Sequence, residues 1–114
     1  MEIYRSSVFA NQLKTLLKPN HEPFQNYLCD ELEKTPPKMS EIMSEVEGFK
    51  IVKRRIANPS EKKGKSQGFR VWYCISDSQI VLCKIVSVSN KDKEKSKSAN
   101  LAEIKKMVKP YFVV

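Results

Sequence analysis

The sequence predicts a single small domain of the α+β class, with helices before and after a group of strands. Runs of β-branched and aromatic residues are concentrated between residues 49 and 88. Apolar residues recur at helical spacing on both sides of that region. The length of 114 residues is that of one domain.

A short strand and two helices are predicted ahead of the central strands. Residues 1–4 suit an edge strand, and Ser7 is the predicted N-cap of the first helix. Pro19 ends that helix, and Asn20 is the predicted cap of the second, which runs to Pro36. The apolar residues at helical spacing in these two helices are Val8, Phe9, Leu13, Leu16, Leu17, Phe24, Tyr27, Leu28 and Leu32. The single histidine, His21, is expected to be a surface or capping residue.

The assignment of residues 38–48 stays open between an irregular connection and a short helix. Met39, Ile42, Met43 and Val46 have helical spacing, and Gly48 would end such a helix. No strand is predicted here.

Residues 49–56, FKIVKRRI, form the first long predicted strand. Strict alternation places Lys53 and Arg55 on one face of this strand. It places Arg54 on the other face, together with Val52 and Ile56. Neither face is purely apolar. Two explanations remain open: a bulge near Lys53, or a strand with one end in water.

Residues 69–75 and 80–86 are apolar runs separated by the polar segment SDSQ, which predicts a hairpin. On the first of these strands, alternation directs Phe69, Val71, Tyr73 and Ile75 to the core. Arg70 and Trp72 share the opposite face. An arginine beside an indole ring suits RNA binding, because the guanidinium can form bidentate contacts and the ring offers a surface on which a base can stack. The alternative is that Trp72 packs under a helix on that face.

The segments around the hairpin are rich in lysine. Lys63 and Lys65 lie in the loop 57–67, where they suit phosphate contact or a solvated loop. Residues 90–98, NKDKEKSKS, are a charge run before a last amphipathic helix, which Pro110 closes. Residues 111–114 are an apolar tail.

Bulk properties narrow the function classes. A formal net charge of +8 indicates a polyanionic partner, nucleic acid above all. Three cysteines without a CxxC pair, and one histidine, argue against a disulfide framework and a zinc site. The sequence has no apolar run of membrane-spanning length and no leader pattern, so the predicted location is the cytoplasm.

One family resemblance follows from the motifs. The basic strand, the segment GKSQGFRVWY at residues 64–73, the apolar strand and the segment SNKDKE at residues 89–94 resemble the RelE/HigB superfamily of bacterial toxins. In the HigB-like branch the corresponding glycine turn is close to GKSGGxR. The resemblance implies a small, mostly antiparallel sheet in the order strand, two helices, three strands, helix, with the helices packed on one face.

The resemblance also implies an activity. Proteins of this kind are ribosome-dependent messenger RNA endoribonucleases, in which a ribose 2′-hydroxyl attacks its own phosphate without a metal or cofactor. Arg70 would bind the scissile phosphate, and Lys53 and Arg55 would supply a base and charge stabilisation. The residues expected to carry catalysis are Lys53, Arg55, Arg70, Lys91 and Tyr111. Those expected to bind RNA are Lys63, Lys65, Trp72 and Lys93.

The expected partners are messenger RNA on the ribosome and a cognate antitoxin, with no membrane. The antitoxin is expected to contribute acidic and apolar residues and a helix-turn-helix part. Two rival functions stay open: a ParE-like toxin that inhibits gyrase, and a non-catalytic basic domain that binds nucleic acid.

Overall fold

The computed structural model describes residues 1–57, 68–87 and 96–111. This part of the chain contains strands β1 (Glu2–Arg5), β2 (Ile42–Val46), β3 (Phe49–Ile56), β4 (Phe69–Ile75) and β5 (Gln79–Ser87), and helices α1 (Ser7–Leu17), α2 (His21–Lys34) and α3 (Lys97–Val108). Short 3₁₀ turns occupy Lys18–Asn20, Met39–Glu41 and Lys109–Tyr111. The predicted α+β class is confirmed.

The strands form one mixed sheet in the order β1-β5-β4-β3-β2. β1 runs parallel to β5, and the other three pairings are antiparallel. Two hairpins, β2–β3 and β4–β5, therefore lie side by side, and β1 is added at the edge next to β5.

β2 is a strand that the sequence analysis did not predict. Glu47 and Gly48 join it to β3 with φ values of 49° and 82°. Positive φ at both central residues is the pattern of a two-residue type I′ hairpin turn, which Gly48 favours. The helical spacing of residues 39–46 was therefore misleading, because Gly48 closes a hairpin and not a helix.

Helices cover both faces of the sheet, so the prediction that they pack on one face is wrong. α1 and α2 bury Phe9, Leu13 and Leu28 against one face, while α3 packs Ile104 and Val108 against the other. The physical reason is that β4 buries large side chains on both faces, Val71 and Tyr73 on one and Trp72 and Cys74 on the other. A strand of that kind needs cover on each side.

The register of the sheet decides between the two explanations left open for β3. β3 pairs with β4 without interruption from Lys50↔Ile75 to Ile56↔Phe69, so β3 has no bulge in this ladder. Bulges lie in the two strands that flank this pair. In β2, Ile42 pairs with Val52 and Ser44 with Ile51, which skips Met43. In β5 a second residue is skipped. Trp72 pairs with Lys84 and Tyr73 with Leu82, which skips Cys83.

Serine side chains cap two of the helices. Ser6 Oγ accepts a hydrogen bond from Phe9 N at 3.0 Å, so the cap of α1 lies one residue before the predicted Ser7. Ser96 Oγ accepts from Ala99 N in the same way at the start of α3. Asn20 occupies the predicted cap position of α2, but its side chain makes no capping hydrogen bond.

None of the helices in residues 1–57, 68–87 and 96–111 combines the length and apolar character that crossing a bilayer requires.

Candidate functional site

Three cations predicted from the sequence lie on one face at one end of the sheet. Lys53, Arg55 and Arg70 line the same open pocket, which has a volume of about 770 Å³. Arg55 and Arg70 are direct cross-strand partners, and Lys53 is opposite Trp72. Arg55 is exposed, while Lys53 and Arg70 are half-buried, so a ligand in the pocket has access to all three.

The pocket exists because β3 is longer than the part of it that β2 covers. The last β2–β3 pair is Ile42↔Val52, so residues 53–56 extend beyond the paired region. The 3₁₀ turn Met39–Glu41 lies alongside that extension. It supplies the opposite wall of the pocket, whose lining residues are Lys38, Ser40, Glu41 and Met43.

Two like charges face each other in this pocket, which is unfavourable for the stability of the fold. Like charges directly opposite each other on a sheet are destabilising, as in the Arg55↔Arg70 pair. Lys53 lies over the Trp72 ring, with Nζ 5.2 Å from the ring centroid, where the aromatic face attracts the ammonium group. Three cations that line one open pocket make it a candidate anion site.

Arg54 has a different environment from its two basic neighbours. It is 5% exposed and faces the α1/α2 side. Its Nη2 donates to Thr35 O at 2.8 Å, and its Nε lies 3.5 Å from Glu41 Oε1, an ion pair without hydrogen-bond geometry. Its guanidinium carbon is 5.7 Å from the centroid of the Tyr73 ring. Arg54 thus fixes the segment that forms the pocket wall.

Tyr73 is fully buried beside Arg54, and its hydroxyl has no hydrogen-bond partner. Burial raises the pKa of Tyr73 to about 12, with the Arg54 charge acting in the opposite direction.

Trp72 does not offer a surface for stacking RNA bases, so this prediction is wrong. The side chain is 1% exposed and belongs to the core beneath α3, with Cys74, Ile104 and Val108. The alternative considered from the sequence, that Trp72 packs under a helix, is confirmed. The sequence could not decide between the two because the number of helices on that face was unknown.

Lys84 lies on the α3 face but not in the pocket. The β5 bulge turns it under α3, where its Nζ donates to Asn100 Oδ1 at 2.7 Å and lies 3.4 Å from Glu103 Oε2. It is 6% exposed, so this cation is used to hold the helix.

The cysteines are unpaired. Cys74 and Cys83 are buried, and the pKa of Cys83 is raised by its hydrogen bond with Cys74 and by burial. Burial and the nearby Glu33 raise the pKa of Cys29. Within the described ranges, no three histidine, cysteine or acidic side chains are grouped as metal ligands would be.

Several predicted site residues are outside the described structure. They are Lys63, Lys65, Lys91 and Lys93. Tyr111 ends the last 3₁₀ turn, but its side chain is also outside the described part. Their predicted roles stay predictions.

The wall formed by Lys38, Ser40, Glu41 and Met43 was missed by sequence reasoning. The sequence leaves residues 38–48 open between a connection and a short helix, so it assigns these side chains to no face of the sheet. The usable signal was Glu47-Gly48 between two β-rich segments, which predicts a hairpin and brings the preceding residues beside β3.

No protein-family model matches this chain, and comparisons with curated proteins and with solved structures find no match either.

Proposed function

We propose that this protein is the toxin of a type II toxin–antitoxin system, a messenger RNA endoribonuclease that acts on the ribosome. The observation that carries the proposal is that Lys53, Arg55 and Arg70, selected from the sequence, line one pocket. The net charge of +8 is of the sign that a ribosome-bound RNA substrate attracts.

The proposed reaction is an intramolecular transfer at phosphorus. The ribose 2′-oxygen attacks the adjacent phosphorus and loses its proton, while the bond from phosphorus to the 5′-oxygen breaks and that oxygen gains a proton. The products are a 2′,3′-cyclic phosphate and a 5′-hydroxyl. Negative charge builds up on the phosphoryl oxygens during the attack, so fixed cations beside them lower the barrier.

The pocket residues suit distinct parts of this reaction. Arg55 and Arg70, facing each other across β3 and β4, can hold two phosphoryl oxygens at once, because a guanidinium donates through a planar fork. We assign proton transfer to Lys53, since arginine keeps its proton at physiological pH. Lys91, at a position where the family often has a basic residue, is proposed to complete the site. Tyr111 is proposed as the late tyrosine of the site, although the position of that tyrosine in the family holds Ser96 and Lys97 here. If Tyr111 does not reach the site, catalysis relies on the lysines or is weak.

The proposal includes a partner and a location. A nuclease that attacks translated messages needs an inhibitor, so we propose a cytoplasmic complex with a smaller antitoxin bearing acidic and apolar residues and a helix-turn-helix part. A partner that binds only the native state must raise the melting temperature of the toxin. Co-purification with the products of neighbouring genes tests for it.

The deciding experiment is to express the protein alone in bacteria and to map the 5′ ends of messages. We expect translation to stop and new 5′ ends to lie within translated codons. Growth arrest with intact messages would overturn the nuclease assignment. DNA damage linked to gyrase, or the absence of any effect, would point to the two rival functions.

Arg70→Ala is predicted to remove the cleavage while the protein stays folded. Loss of one transition-state donor typically lowers the rate by about 10²–10³-fold. Arg5→Ala is the matched control, because Arg5 is an exposed arginine on β1 that hydrogen-bonds to Gln25, away from the pocket. Full cleavage by a folded Arg70→Ala variant would remove Arg70 from the site.

A further inference from the structure

The pocket has two chemically different walls. β3 and β4 contribute Lys53, Arg55 and Arg70, which suit phosphate. The opposite wall contributes Lys38, Ser40, Glu41 and Met43, and Glu41 is the only carboxylate among the described residues that line the pocket. A carboxylate repels phosphate and accepts hydrogen bonds without donating any, so the Glu41 part of this wall suits a part of the ligand other than the phosphate.

The Glu41 carboxylate is held in position. Its Oε1 accepts a hydrogen bond from Lys38 N at 2.8 Å and lies 3.5 Å from the buried Arg54 Nε. The side chain is 24% exposed, so part of it faces the pocket. Each carboxylate oxygen can accept a further hydrogen bond. A fixed, negatively charged acceptor discriminates between ligands because it binds those that present donors to it and repels those that present an acceptor.

We infer that this wall is a nucleobase subsite selective for guanine, with Glu41 as the residue that recognises the base. The inference rests on the proposed function and specifies which nucleotide the pocket accepts. Single-stranded RNA is commonly recognised on the Watson–Crick edges of its bases. On guanine that edge presents N1–H and the N2 amino group side by side, two donors that match the two oxygens of one carboxylate.

The other bases match Glu41 less well. Adenine and cytosine each present one amino donor beside a ring nitrogen that is an acceptor, and that acceptor is repelled by the carboxylate. Uracil presents a single N–H between two carbonyl oxygens. Met43 adds an apolar, polarizable contact for the base, and a thioether packs well against aromatic rings.

Arg54 is a positioning residue, because it acts on the base only through Glu41. It lies on the opposite face of β3 from the pocket cations, and it reaches Glu41 at the edge that β2 leaves uncovered. Its bond to Thr35 O fixes the chain ahead of the same wall.

The test is calorimetric binding of the 3′-monophosphates of guanosine, inosine, adenosine, cytidine and uridine to the wild-type protein. A good bidentate contact discriminates by roughly tenfold or more, so guanosine should bind that much more tightly than adenosine. Inosine lacks the N2 amino group and should fall between them. Equal affinities, or no binding of any nucleotide at millimolar concentration, would overturn the inference.

A pair of variants sharpens the test. Glu41→Gln should reduce the guanosine preference to within about twofold, because an amide replaces one acceptor by a donor. Glu45→Gln, the same change at an exposed position on β2, should keep the preference. Arg55→Ala should weaken all five nucleotides by a similar factor.

The guanine subsite and the proposed nuclease activity are tested by different measurements. Binding is measured on mononucleotides, whereas the nuclease proposal is decided by message cleavage in the cell. If Glu41→Gln abolishes cleavage at every codon and leaves the guanosine preference intact, Glu41 belongs to proton transfer and the subsite assignment is overturned.

Discussion

The two faces of the sheet are closed in different ways. α1 and α2 together cover one face, where the only buried charge among the described residues is Arg54. Among the described residues, α3 is the helix that packs on the other face, and Lys53, Arg55 and Arg70 lie beyond it at one end of that face. The candidate site is therefore the part of this face that the described helices do not cover, and arginine is buried in the fold on one face and lines the candidate site on the other.

The largest effect on stability is expected beneath α3, at the boundary between the covered and open areas. Trp72→Ala should lower the free energy of unfolding by about 3–5 kcal/mol, since it empties a buried site beneath the helix. Urea unfolding measures the change, with Trp72→Phe as the milder control. A loss below about 1 kcal/mol, with RNA binding abolished, would restore Trp72 as a stacking surface.

The comparison of Arg54→Ala with Arg55→Ala tests the two faces directly. Arg54→Ala leaves Thr35 O and Glu41 without their buried partner and should cost about 3 kcal/mol. Arg55→Ala removes an exposed charge facing Arg70 and should change stability by less than about 0.5 kcal/mol. The same unfolding assay measures both. Equal losses would contradict the assignment of opposite faces.

A smaller effect on stability is expected at alkaline pH, from the ionisation of a residue on the α1/α2 face. Burial raises the pKa of Tyr73 to about 12 in the folded state, against an ordinary value of about 10. Its contribution to stability is therefore complete below about pH 10 and is lost as the pH rises towards 12. Thermal melts between pH 9 and 12 should fall less steeply for Tyr73→Phe than for the wild type. Parallel curves would show that Tyr73 ionises in the folded state at its ordinary pKa, which would contradict its desolvation.

The smallest effect is expected in the salt dependence of RNA binding. Each phosphate contact contributes a slope of about −0.7 in a plot of log affinity against log salt for single strands. Arg70→Ala should reduce the slope by about that amount, and Arg5→Ala should leave it unchanged. A slope near zero for the wild type would mean that the pocket cations make no phosphate contacts.

The sequence predicted the pocket cations because alternation along β3 and β4 depends on backbone geometry alone. Lys53 and Arg55 point the same way in any regular strand, and the β3–β4 ladder is regular. The opposite wall of the pocket could not be predicted from strand alternation. It depends on a hairpin turn at Glu47-Gly48, in a segment that the sequence left open between a connection and a short helix.

Helix placement was the other part that sequence reasoning could not settle. The apolar stripe of α3 shows that it packs on something, but not which face it covers. The bulge at Cys83 also has no signature in an almost uniformly apolar strand, and it is this bulge that turns Lys84 under α3. Both depend on contacts between distant parts of the chain.

The pairing of β1 with β5 has a consequence for how the protein is made. Glu2 pairs with Gln79. α1 and its cap are attached to the same strand, because Ser6 Oγ donates to Cys83 O and Ile85 N donates to Gln12 Oε1. During synthesis the first strand and helix therefore emerge long before their partner. Until β5 leaves the ribosome, α1 can pack against α2 but lacks its main partner strand. The loop that must close between β1 and β5 contains both helices and the three other strands. Folding is thus completed late, and nascent chains that stop before β5 are the forms most exposed to aggregation and to chaperones.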